Sequence, residues 1–152
     1  MPSNRLREYL DTNKVKYVVI VHSASYTAQE IAASAHISGD EMAKTVILKL
    51  DGKFAMVVLP ASHKVDLDRC KSIIGAKSVE LALEEEFKYR FPECEIGAMP
   101  PFGNLYEMDT FVAEQLGKNE FIAFNAGNHR ELIKTKYDEF ERLVQPKKIS
   151  IT

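Results

Sequence analysis

The chain's 152 residues, 45% apolar and 28% charged, have the make-up of an ordinary globular protein long enough to bury a core without staples. No apolar run approaches the length of a bilayer span and the N-terminus lacks a signal-peptide layout, while two isolated cysteines, Cys70 and Cys94, fit reduced thiols in a cytoplasmic protein. A formal net charge of −2 gives no global positive field, which argues mildly against a protein that coats long stretches of phosphate backbone. It leaves room for a few local cations.

Ser3 is placed to cap a first helix over Asn4–Thr12, whose Leu6 and Leu10 form a short apolar stripe. The run Tyr17–Val21 predicts a buried strand, and Thr27 with Glu30 has the capping-box form that opens a helix through Ala35. Lys44–Leu50 and Lys53–Leu59 flank Asp51-Gly52, the dipeptide of a type I′ turn, and predict a β-hairpin with Val46, Leu48 and Leu50 alternating against Ala55, Val57 and Leu59. A helix over Asp66–Ile74 should stop at Gly75, and another is expected over Leu81–Tyr89 with Glu84-Glu85-Glu86 on a solvated face. Glu95–Asn104 reads as loop. Short strands are expected at Leu105–Met108, Phe121–Asn125 and Glu131–Lys134, and a last helix over Lys136–Val144 capped by Thr135 with Asp138. Helices and strands mix without a repeating period and no linker or repeat divides the chain. The expectation is one α+β domain with a mixed, mostly antiparallel sheet flanked by helices.

Several chemistries lack their signatures. Ser38–Thr45 ends in Lys-Thr, but Ser38 and Ala43 stand where a phosphate loop needs glycine, and a strand follows where it needs a helix. His22, His36, His63 and His129 are scattered with no metal-ligand spacing, so no metal and no cofactor is expected. Neither a nucleophile elbow nor a telling cysteine context supports a covalent intermediate.

Three features remain. Lys44 enters a core strand from a loop, where its ammonium could project into a cleft or simply reach solvent. In Gly97-Ala98-Met99-Pro100-Pro101-Phe102-Gly103 two prolines fix φ while the glycines let the backbone approach a ligand; a stiff connector would have the same composition. Asn125-Ala126-Gly127-Asn128-His129 is a polar turn whose histidine could donate a hydrogen bond, or be an ordinary surface residue.

In this order, Lys44, the Gly-x-x-x-Pro loop of Gly97–Pro101 and Gly127-Asn128-His129 resemble the YbaK family and the editing domain inserted in bacterial prolyl-tRNA synthetases. The resemblance runs from about Tyr17 to the last helix. It implies an aminoacyl-tRNA deacylase that removes a wrong amino acid from the tRNA 3′ end without metal or covalent intermediate. By position it makes Lys44, Gly97 and His129 the catalytic set, with Thr45, Ala98, Met99, Pro100, Pro101, Gly127 and Asn128 against the substrate. His129 matches the alanine-removing branch, so mischarged alanyl-tRNA(Pro) is the expected substrate. Removal of cysteine or another small residue, a non-catalytic tRNA- or synthetase-binding module, and a small-molecule hydrolase stay open. The implied partners are the acceptor end of aminoacyl-tRNA and prolyl-tRNA synthetase, with no membrane. Lys64, Arg69, Lys71, Lys77, Arg130, Lys134 and Lys136 are the cations available to the RNA.

Overall fold

The Asp51-Gly52 turn behaves as its composition demands. Both residues take positive φ, 50° and 85°, and join β2 (Met42–Leu50) to β3 (Lys53–Pro60) over a ladder running from Ala43↔Pro60 to Leu50↔Lys53. The Asp51 carboxylate also accepts from the amides of Lys77 and Ser78 at 2.9 and 2.8 Å. It thereby ties the hairpin tip to the entry of β4 (Val79–Leu81). The computed structural model describes residues 4–22, 28–35 and 37–150, without the side chains at 28, 33 and 34. Ser3, Thr27 and His36, singled out from the sequence, lie outside these residues.

The remaining strands are β1 (Tyr17–Val21), β5 (Asp109–Ala113), β6 (Phe121–Asn125), β7 (Glu131–Lys136) and β8 (Lys147–Ile149). They form one sheet in the order β1-β7-β6-β2-β3-β5-β8, with β4 also paired to β2. The β1–β7, β6–β7, β2–β3 and β2–β4 ladders are antiparallel; β2–β6, β3–β5 and β5–β8 are parallel. The helices are α1 (Asn4–Thr12), α2 (Ala28–Ser34), α3 (Leu67–Ile74), α4 (Glu84–Phe87) and α5 (Tyr137–Val144). This is the mixed, mainly antiparallel α+β architecture expected. No helix among the described residues is long and apolar enough to cross a membrane.

The hairpin is buried on both faces, which is why its strands read as near-continuous apolar runs. One face sends Ala43, Ile47, Met56 and Val58 into the main core with Leu6 and Leu10 of α1 and Phe140 of α5. There Phe102 meets Phe124 and Phe140 edge-on, with ring centroids 5.4 and 5.9 Å apart. The other face packs Leu48, Ala55, Val57 and Leu59 against Cys70 of α3, and Met42, Ala123 and Leu132 against Ile31 and Ala32 of α2. α3 is capped as its ends predict: Asp66 accepts from the Arg69 amide at 3.1 Å, and Gly75 takes φ 79°.

Five expectations are corrected. β1 is an edge strand, not a buried one: Val18 and Val21 are 61% and 75% exposed, because β-branched residues favour extended backbone whether or not a second layer covers them. The helix over Leu81–Tyr89 shrinks to α4 and a 3₁₀ turn at Lys88–Arg90, since Leu81 is held in β4 opposite Leu48. Within it Glu86 does more than face solvent; it accepts from Lys49 Nζ at 2.5 Å and from the Leu83 amide at 2.9 Å. Leu105–Met108 is no strand, because Gly103–Tyr106 forms a 3₁₀ turn and the strand starts at Asp109. Thr135 does not cap α5; its hydroxyl donates to the Lys16 carbonyl at 2.8 Å, across the β1–β7 edge.

Gly103 is the tightest point of this framework. A Cβ there would stand 2.1 Å from Thr110 Oγ1 and 2.9 Å from the Met108 carbonyl oxygen. Gly103→Ala is expected to cost about 1–3 kcal/mol as an overpacking change, lowering Tm by roughly 2–12 °C in a thermal melt. An unchanged Tm would show that the 3₁₀ turn can move away at no cost.

Candidate functional site

The pairing pattern leaves a notch in the sheet. On its side away from β3, strand β2 pairs with β6 only at Met42↔Ala123 and Ala43↔Phe124, and with β4 only at Leu48–Leu50. Between them β6 has ended at Asn125, and the β4 side takes over only where the Ala82 amide donates to the Ile47 carbonyl at 3.0 Å, so residues 44–46 border a gap beside the turn that leaves β6. Breaks of this kind, where neighbouring strands part, are where open sheets admit ligands.

Two segments fill the rim of the notch and hold each other. The amide of Glu95 donates to the Gly127 carbonyl at 2.8 Å, and the amide of Gly127 returns a bond to the Ala98 carbonyl at 3.0 Å. The Glu95 carboxylate accepts from the His129 amide at 3.2 Å. The His129 ring, 6% exposed, donates from Nε2 to the Ile96 carbonyl at 2.8 Å. Gly97 and Gly127 both take positive φ, 86° and 101°, and a Cβ on Gly97 would stand 3.5 Å from His129 Cε1. Asn128 turns the corner by accepting from the amides of Arg130 and Glu131 at 2.8 and 2.9 Å. Of the predicted set, Gly97, Ala98, Gly127, Asn128 and His129 are thus brought into one clasp.

The rest of the proline loop turns inward. Ala98, Met99, Pro100 and Pro101 are buried, and Met99 belongs to the main core, so these side chains stiffen the loop from below. Gly97 is exposed at its crest. Its amide donates to Met99 Sδ at 3.3 Å, a weak acceptor that a stronger one could replace.

Lys44 stands on the next rung of the β2–β6 ladder after Ala43↔Phe124, opposite Asn125. Alternation along the strands puts both side chains on the α2 side with Met42 and Ala123, while Thr45 faces the other way. Lys44 Nζ donates to the Ala61 carbonyl at 3.4 Å, and burial first, then the Lys64 ammonium, holds its pKa below the ordinary lysine value. An anion arriving in the notch would offset both effects. Asn125 is 5% exposed, and its Oδ1 has no hydrogen-bond partner among the described residues. Sequence reading passed over this side chain as part of a polar turn. Nothing local marks it; its burial follows from the register that sets it beside Lys44 and Leu132.

The segments that border the notch carry one ammonium, an under-used backbone amide and an amide oxygen unpartnered among the described residues. That equipment suits an ester whose carbonyl oxygen gains negative charge. Comparison with known proteins agrees. Residues 22–143 match the aminoacyl-tRNA editing domain. Over 75 residues the chain is 35% identical to proline–tRNA ligase 1 of Bacillus thuringiensis subsp. konkukian and to a proline–tRNA ligase of Bacillus anthracis. That stretch is 49% of this chain and 13% of either ligase, so the chain corresponds to a small part of those enzymes. Among solved structures, one proposed to be a trans-editing enzyme for prolyl tRNA synthetase superposes with TM-score 0.84 at 18% identity, covering 99% of this chain and 96% of the other. The hypothetical protein APE2540 does so with TM-score 0.86 at 19% identity, covering 97% and 99%. The match spans the notch, the clasp and both faces of the hairpin, and the chain belongs to the aminoacyl-tRNA editing domain family.

Proposed function

We propose that the chain is a cytoplasmic deacylase that hydrolyses mischarged tRNA(Pro), with alanine as the amino acid removed, working alongside prolyl-tRNA synthetase. The observation that supports it best is the register that sets Lys44 beside Asn125, at the start of the turn clasped to Gly97. In this reading water adds to the ester carbonyl carbon. The Lys44 ammonium and the Gly97 amide, released from Met99 Sδ, stabilise the oxyanion. Collapse breaks the acyl C–O bond, the water's proton passes to the departing ribose oxygen, and the free amino acid and tRNA leave. His129 acts as a positioning residue, since its ring holds the Ile96 carbonyl and so the crest of the loop. Asn125 Oδ1 accepts from a donor on the aminoacyl-ribose end, which gives the buried oxygen its missing partner. Proline is rejected by size, which discriminates more strongly than a missing methylene can.

Deacylation of tRNA(Pro) charged with alanine, cysteine, serine or proline tests this directly. Alanine should be released rapidly and proline spared. Release of cysteine or serine instead would move the specificity, and binding of tRNA without release of any would leave a binding module.

Lys44→Ala is expected to lower kcat/KM by about 10²–10³-fold, the usual cost of an oxyanion donor, with the fold retained by circular dichroism. Wild-type rates in that variant would remove Lys44 from the chemistry.

Asn125→Leu separates stability from function. It removes a buried polar atom that is unpartnered among the described residues and should raise unfolding stability by about 1–3 kcal/mol in urea, yet slow alanine release tenfold or more. A variant that is both less stable and fully active would contradict this role.

A further inference from the structure

The sheet face that holds Lys44 and Asn125 runs along β6, β7 and β1 into a cationic patch. Strand alternation puts Phe121 on β6, Lys134 and Lys136 on β7 and Val18 on β1 on the same side as Asn125 and Leu132. Lys14 and Lys16, just before β1, line one groove with Phe121 and Lys136, and an adjoining groove shares Lys16 and Phe121 and adds Lys134. Among the described residues no ion pair engages any of these four ammoniums, and the acidic residue lining the groove, Glu139, is taken by Arg142 at 2.7 Å. Lys134 Nζ stands 5.5 Å from the centre of the Phe121 ring, and that ring is 37% exposed. In a chain of net charge −2 this is a concentrated positive field.

We propose that the patch receives the phosphate backbone of the tRNA acceptor end, with Phe121 as a stacking surface for an unpaired base. The proposal rests on the deacylase reading for the entry of the 3′ end into the notch, and adds the direction in which the RNA leaves. Mobile lysine ammoniums suit phosphate oxygens, and an exposed ring bordered by cations suits a base whatever its identity. Phe121 lies four residues before Asn125 on β6, about 13 Å along the strand; α2 covers Ala123 and Leu132 between them, so the RNA passes around that helix and the span exceeds the roughly four nucleotides of a straight path at ~3.4 Å each. The cations of α3 are less suited, because Asp66 and Asp68 stand on the same short helix, beside Arg69 at its start and within about a turn of Lys71 in its last turn.

The experiment is fluorescence-anisotropy binding of an uncharged acceptor-stem minihelix with an unpaired 3′ CCA, across a salt series. In Lys16→Ala/Lys134→Ala/Lys136→Ala, affinity should fall at least tenfold, and the slope of log K against log salt should flatten by about 2, at ~0.7 per lost phosphate contact. Phe121→Ala should weaken binding about fivefold or more without changing the slope, and Arg69→Ala/Lys71→Ala should bind like wild type. Lys16→Glu, outside any strand, repeats the charge test in one exchange that leaves the sheet intact. Because the RNA is uncharged, the result stands whether or not the protein hydrolyses esters. In turnover, the triple variant should raise KM for alanyl-minihelix and leave hydrolysis of alanyl-adenosine unchanged. No binding by wild type, a triple variant with wild-type affinity and slope, or a loss confined to Arg69→Ala/Lys71→Ala would overturn the proposal.

Discussion

The two-residue parallel ladder between Met42–Ala43 and Ala123–Phe124 is the constraint on which the rest depends. It joins the β1-β7-β6 half of the sheet to the half built on the hairpin. Because it is so short, β2 runs on beyond the end of β6 with a free flank. A longer ladder would close the notch; none at all would leave two separate ribbons. The apolar environment on both sides of the seam fixes its register, since a slip of one residue would send Ala43 and Phe124 out of the main core and Met42 and Ala123 into it.

Rigidity at the seam comes from backbone more than from side chains. The clasp joins Glu95–Ala98 to Gly127–His129 through main-chain bonds in both directions, and two left-handed glycines let the strands of that clasp approach. Below it, Met99 and Phe102 are anchored in the aromatic core, so the exposed crest rests on a packed base. A site that discriminated by size, as proposed, would gain from this, because its walls are peptide groups with few rotamers to yield.

How much of this the sequence disclosed follows from the range of the interactions involved. Asp51-Gly52, Asp66 and Gly75 announce themselves because a turn or cap is decided within a few residues. Strands β4, β5 and β8 were missed or misplaced because each is short and exists by pairing with a distant partner. The edge position of β1 could not be read either; Tyr17–Val21 has the composition of a core strand, and only the sheet order exposes it. At the candidate site, Lys44, Gly97 and His129 were singled out by their order along the chain. The burial of His129 depends on Glu95–Ile96 folding over it, and the isolation of Asn125 Oδ1 depends on register. Neither is written locally.

The exposed edge of β1 has a consequence for the protein's solution behaviour. A strand with Val18, Val19 and Val21 open to solvent and one side of its backbone unpaired among the described residues is a template on which a second copy could add. Lys14 and Lys16 lead into that edge and Lys134 flanks it, so two copies approaching edge to edge bring like charges together before any backbone bond forms. The same ammoniums that would draw in a polyanion therefore act as gatekeepers against self-association. Their removal, or their screening by salt, trades solubility for a sheet that can extend from one molecule to the next.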